Sequence, residues 1–254
     1  MKKLISIFLI TLGIASNYGQ EKADLIGENF SLEGALEMFK KSSSIEEFEK
    51  LINTEESNVN NLDLNEDGEI DYINVESIKE GDTHVLILSS YLNEKEVQDI
   101  ATIGIEKTGN ENAILQIEGD ASLYGVNVFV EPFEVESKIE TSEYGPNELI
   151  VNPYRVLVNV WFWPCVKFMY RPGYVVWKSP YRWRKYPSYW KPWKRTTYTI
   201  FKGRSSRHNT LFQRTTKHRV IVAKKIYSPR RRVVVLKSNI KTKVIKRRTK
   251  MRRR

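Results

Sequence analysis

Beyond Glu148 this chain contains no aspartate or glutamate. That half carries only positive charge and ends in Lys246–Arg254, where seven of nine residues are basic, a like-charge run of the kind that does not fold alone. Cysteine is nearly missing: Cys165 is the only one, so an intramolecular disulfide is ruled out. Histidine is scarce, with His84, His208 and His218 far apart. No zinc-ligand spacing, phosphate-binding glycine loop or nucleophile elbow occurs, so nothing in the sequence argues for an enzyme. Long hydrophobic runs are also lacking. The twelve-residue stretch Leu4–Ala15 is too short to span a bilayer.

What is present is a split of charge. All 31 acidic residues lie between Glu21 and Glu148, so residues 21–150 carry a formal charge of −23 and residues 151–254 carry +31. The net +10 describes neither half. Ahead of them, Lys2 and Lys3, the Leu4–Ala15 stretch and the small residues Ala15, Ser16 and Gly19 read as a secretory signal. The expected location is therefore the periplasm or cell surface. An exported fold without disulfides is held by its core, a metal or partners.

Helical spacing predicts two short helices. One starts after Ser31 and buries Leu32, Ala35, Leu36 and Phe39; the other starts at a Ser44/Glu47 capping box and buries Ile45, Phe48, Leu51 and Ile52. From Tyr72 the period becomes alternating. Tyr72–Ile78, His84–Leu92, Ile100–Lys107, Ala113–Glu118 and a short Asn127–Val130 read as strands joined by tight turns, which imply antiparallel pairing. The expected fold is α+β: two short helices packed on a four- to five-stranded antiparallel meander, followed by a largely irregular basic aromatic tail. The expected boundaries are a signal at 1–20, an acidic domain at 21–135, a linker at 136–153, a Trp/Tyr/Pro/Arg-rich segment at 154–196 and a disordered cationic tail at 197–254. Arg219–Ala223 and Arg232–Leu236 look strand-like within that tail.

The most specific chemistry lies between helices and strands, in Asp63-Leu64-Asn65-Glu66-Asp67-Gly68-Glu69-Ile70-Asp71. A hard Ca²⁺ ion takes six to eight oxygens, and this spacing offers them. Asp63, Asn65 and Asp67 stand at positions one, three and five, Gly68 permits the sharp turn, Glu69 offers its carbonyl and Asp71 a further carboxylate. The bland alternative is an Asn/Asp/Gly turn that caps the next strand.

The pattern resembles EF-hand and dockerin loops and those of integrin-type propeller repeats. At position twelve, where an EF-hand has a bidentate Glu, this chain has Asn74, and a strand follows in place of an exit helix. The chain also resembles uncharacterised exported proteins of Bacteroidetes bacteria, which pair an SLEGALE-like helix and a D-x-N-x-D-G-x-x-D-Y loop with a Tyr/Trp/Pro/Arg-rich second half. The resemblance implies no activity. A weak, structural Ca²⁺ site follows from the loop itself.

In the basic half, 16 of the 48 residues from Tyr154 to Phe201 are aromatic. Three kinds of partner fit such a segment. One is an anionic envelope surface, whether lipopolysaccharide, phospholipid or cell-wall polymer. Another is the acidic domain of this chain. The third is nucleic acid, which the export signal disfavours. The leading expectation is a non-catalytic calcium-binding module with an envelope-associating cationic tail. The alternative is a polyanion or nucleic-acid binder in which the acidic loop is only a turn.

Overall fold

The computed structural model describes residues 26–141 and 149–234. The signal expected at 1–20, residues 142–148 of the expected linker and the basic terminus from 235 lie outside them.

The two helices form where their caps are. Ser31 accepts from the Gly34 amide at 3.0 Å and starts α1 (Leu32–Lys41). Ser44 accepts from the Glu47 amide at 3.2 Å and starts α2 (Ile45–Ile52). The Glu47 carboxylate returns to the Ser43 amide at 2.7 Å, one residue earlier than a standard capping box. At these lengths neither helix would persist alone. They persist because Leu32, Leu36, Phe39, Ile45, Phe48 and Ile52 are fully buried, each contributing about 1.5–3 kcal/mol.

The strands are β1 (Asn74–Glu80), β2 (Thr83–Tyr91), β3 (Val97–Gly109), β4 (Asn112–Gly119), β5 (Val128–Thr141), β6 (Leu149–Leu157) and β7 (Phe212–Thr215). They form one antiparallel sheet in the order β1-β2-β3-β4-β5-β6, with β7 also on β5. The mixed α and β class with an antiparallel meander is as expected; the sheet is larger than the four to five strands predicted. Much of the expected linker is strand: β5 pairs with β6 from Phe133↔Leu157 to Thr141↔Leu149. Phe133, Val135 and Ile139 alternate with Glu134, Glu136 and Lys138 in sequence, yet residues 134–137 are solvent-exposed without interruption, so this stretch has no buried face. Pro132 sits where β5 leaves β4 and β7 and takes up β6, a position where a missing N–H is tolerated.

The basic half also departs from expectation. Within the segment expected to be irregular, Pro164 opens α4 (Pro164–Tyr170) at a position whose N–H has no helical partner. Between residues 197 and 234, expected to be disordered, lie α5 (Tyr198–Ser205), β7 and α6 (Ile221–Tyr227). The strand-like reading of Arg219–Ala223 fails because Val220, Ala223, Ile226 and Tyr227 follow a helical spacing and bury one face.

The acid-free half supplies part of the core on both faces of the sheet. On one face Trp163, Cys165, Val166 and Met169 close over the α1/α2 core, which includes Leu86, Leu88, Ile103 and Ile117. On the other, α6 lays Val220, Ala223, Ile226 and Tyr227 over Val85 and Ile87. The interior strand β2 is thus buried on both sides. At the edge, the Ser77 amide donates to the Trp177 carbonyl at 2.8 Å and the Ser179 amide to that of Val75 at 3.0 Å. The aromatic segment thereby covers a strand edge that would otherwise invite aggregation.

Candidate metal-binding loop

The nine-residue loop brings its polar side chains inward. Asp63 accepts through Oδ1 from the Asp67 amide at 3.1 Å and through Oδ2 from the Gly68 amide at 3.0 Å. Asn65 Oδ1 accepts from the Asp67 amide at 3.0 Å, and Asp67 Oδ1 from the Glu69 amide at 2.9 Å. Gly68 has φ +86°, the left-handed conformation that glycine adopts without strain. Asp71 closes the base, accepting from the Leu64 amide while its own amide donates to the Leu62 carbonyl at 2.8 Å. Burial, with the charges of Asp63 and Asp67 adding to it, pushes the Asp71 carboxyl up to about 7.

Asp63 and Asn65 thus share the Asp67 amide, Asp71 holds the Leu64 amide at the base, and Glu69 keeps its side chain in solvent. Among the described residues, no group of three or more His, Cys, Asp or Glu side chains is arranged to hold a metal ion. The inward oxygens include an amide, and the carboxylates are turned to loop N–H groups. Asn74 is committed elsewhere: its amide donates to Ser179 Oγ and to the Tyr181 carbonyl, both at 2.9 Å.

The basic half grips this loop. The Ile70 amide donates to the Trp193 carbonyl at 2.9 Å, and the Glu69 and Lys194 backbones pair as an isolated antiparallel β-bridge. Asn61 exchanges hydrogen bonds with the Thr196 backbone at 2.9 and 3.0 Å. Below the loop, the Tyr72 ring is ringed by Tyr181, Tyr186 and Trp190 at centroid distances of 5.7, 5.7 and 5.2 Å.

Sequence reasoning missed Glu49, which stands on the buried face of α2. It accepts from Tyr72 Oη at 3.0 Å, Trp177 Nε1 at 2.9 Å, Ser179 Oγ at 2.6 Å and the Val75 amide at 3.3 Å. Burial raises its pKa even though all four donors oppose that shift. The available signal was a glutamate on the stripe of Ile45 and Ile52, where a charge is retained only if partnered.

The arginines of the last described segment are spent on the acidic half. Arg214 reaches Glu33 at 2.8 Å and Glu28 at 2.9 Å, Arg219 reaches Glu131 at 2.7 Å, and Arg232 reaches Asp99 at 2.8 Å. Most of the aromatic segment's charge stays in solvent, while Lys178 pairs with Glu76 at 3.7 Å. Arg171, Arg182, Arg184, Lys191 and Arg195 are exposed and form no ion pair among the described residues.

The remaining titratable groups are absorbed structurally. The two ring nitrogens of His208 face the Glu37 carboxylate and, at 2.9 Å, the Ser57 carbonyl. His218 stacks on Phe129 at 4.8 Å. Burial pushes the Cys165 thiol up to about 12, which leaves it protonated and unreactive. No helix among the described residues is long and apolar enough to cross a membrane. Comparison of the chain with protein-family models, curated proteins and solved structures gave no match.

Proposed function

We propose that this chain is an exported, non-catalytic calcium-binding module whose cationic aromatic face associates with anionic components of the cell envelope. The observation that supports it best is the nine-residue loop. Three oxygen-bearing side chains turn inward at alternating positions around a left-handed Gly68, and the next strand-side residues are tied to Trp193 and Lys194. Ca²⁺ would be held by Asp63, Asn65, Asp67, the Glu69 carbonyl and Asp71, and it would neutralise a crowded set of carboxylates. With one loop its role is structural, and its affinity is of the order of 10⁻⁴–10⁻³ M. The free cations of the 171–195 segment then face an anionic partner of the envelope: lipopolysaccharide, phospholipid or cell-wall polymer.

Thermal melting of the full chain with millimolar Ca²⁺ or a chelator tests the metal. The expected result is a higher melting temperature in Ca²⁺, lost in Asp67→Ala. An unchanged midpoint in both proteins would overturn the metal reading.

A second reading is favoured by the same hydrogen bonds. Carboxylates that accept from their own loop amides are what a purely structural Asn/Asp turn needs. In that reading the chain is a polyanion or nucleic-acid binder without a metal. A pull-down over rising salt, with DNA competing against lipopolysaccharide and peptidoglycan, separates the two.

A further inference from the structure

The turn between α4 and the β1 edge presents apolar side chains to water in an unusual way. Its sequence is Arg171-Pro-Gly-Tyr-Val-Val-Trp-Lys178. Two residues anchor it from within. Tyr174 Oη shares a hydrogen bond with Ser77 Oγ at 2.8 Å, and its ring packs on Phe168 at 5.7 Å. Trp177 donates Nε1 to the buried Glu49 at 2.9 Å and accepts the Ser77 amide. Between these anchors Val175 is 80% exposed and Val176 48% exposed. The valines are held out by a turn whose two aromatic side chains are anchored to the body of the fold.

Cations flank them on both sides. Arg171 lies over the Phe168 ring at 4.0 Å, and the Lys178 side chain is 77% exposed, its ammonium 3.7 Å from Glu76 Oε1 in a pair open to solvent. Ahead of α4, Phe162 is 56% exposed, with the Lys167 ammonium 5.0 Å from its ring centre. No acid occurs anywhere in this stretch of sequence. Soluble polyanions need only the charge. A bilayer surface rewards both features, because its headgroups attract Lys and Arg while its acyl boundary takes up apolar side chains.

We infer that the Arg171–Lys178 turn is an interfacial anchor for an anionic phospholipid bilayer, with Val175 and Val176 entering the acyl boundary and Arg171 and Lys178 on the headgroups. This rests on the anionic-envelope reading above and narrows it to lipid.

The test is co-sedimentation of the full chain with vesicles of phosphatidylcholine alone or mixed with phosphatidylglycerol, beside retention on heparin as a lipid-free polyanion. The wild type is expected to sediment with the mixed vesicles only. Val175→Ser/Val176→Ser should bind them roughly tenfold more weakly, with heparin retention and melting temperature unchanged. Val175→Trp should bind them more tightly, since Trp favours the interface. If the serine variant sediments like the wild type, or the wild type holds to heparin but to no vesicle, the lipid anchor is wrong and the anionic reading stands. If the wild type binds neither, both fail.

Discussion

Gly104 of β3 lies directly beneath Ala223 of α6. A Cβ placed on Gly104 would come within 2.6 Å of the Ala223 Cβ and 2.8 Å of Val220 Cγ2. The close approach lets a helix of the cationic half lie flat on the second face of an acidic sheet. Gly104→Ala is expected to destabilise the fold by about 1–3 kcal/mol, the usual cost of overpacking. Proteolysis should then cut first near residues 217–234. Melting and limited proteolysis check this, and Ala223→Gly added to Gly104→Ala should recover part of the loss.

Asp99 fastens the end of the same segment. It accepts from Tyr227 Oη at 3.0 Å and from the Arg232 amide and Nε at 2.8 Å each. Asp99→Ala should cost about 2–3 kcal/mol, below the usual figure for a broken buried pair because the Arg232 side chain is 36% exposed. Arg230→Ala, which removes a largely exposed pair with Glu80, should leave the denaturation midpoint in place. Equal effects from the two substitutions would refute the distinction.

Glu49 ties α2, β1 and the aromatic segment to one carboxylate. Glu49→Ala leaves the Trp177 and Val75 N–H groups without acceptors, and a loss of about 3 kcal/mol is expected. Glu49→Gln should lose less than half of that. Its amide oxygen can serve those two obligate donors, while its NH₂ turns to the Tyr72 and Ser179 hydroxyls, which also accept. Urea midpoints of the two variants provide the comparison, and a Gln variant as weak as Ala would contradict this account.

His84 gives the fold an acid limb. It is fully buried, neither ring nitrogen has a hydrogen-bond partner, and its ring meets Tyr170 at 4.6 Å and Tyr174 at 5.3 Å. Burial, reinforced by Lys79 and opposed by Asp82, lowers its pKa from 6.5 to about 4. The unfolded chain therefore takes up a proton near pH 6.5 that the folded chain refuses until about pH 4. Stability from this group is complete above that window and is lost as pH falls through it, by up to about 3 kcal/mol. His84→Phe keeps the aromatic packing and removes the titration. The wild-type-minus-variant difference in stability should become steadily more negative from pH 6.5 down to 4. A flat difference would show that His84 is not the group responsible.

Local features were legible from the chain. The Ser31 and Ser44 caps and four of the strands each depend on residues a few positions apart, and such signals are written in spacing. The reading failed at β5 beyond Pro132. Phe133, Val135 and Ile139 do alternate there with Glu134, Glu136 and Lys138, but the segment is exposed along residues 134–137 and its polar composition read as a linker.

The charge split was visible at once, but its consequence was not. Composition could say that −23 and +31 attract; it could not say that Arg214, Arg219 and Arg232 meet Glu33, Glu131 and Asp99 while Arg171 and Lys191 stay in water. That sorting depends on contacts between residues more than eighty positions apart. Long-range pairing is decided by the geometry of packed surfaces, here a bare Gly104 under α6 and a strand edge that accepts Trp177. No local period records which of many equivalent cations will reach which acid.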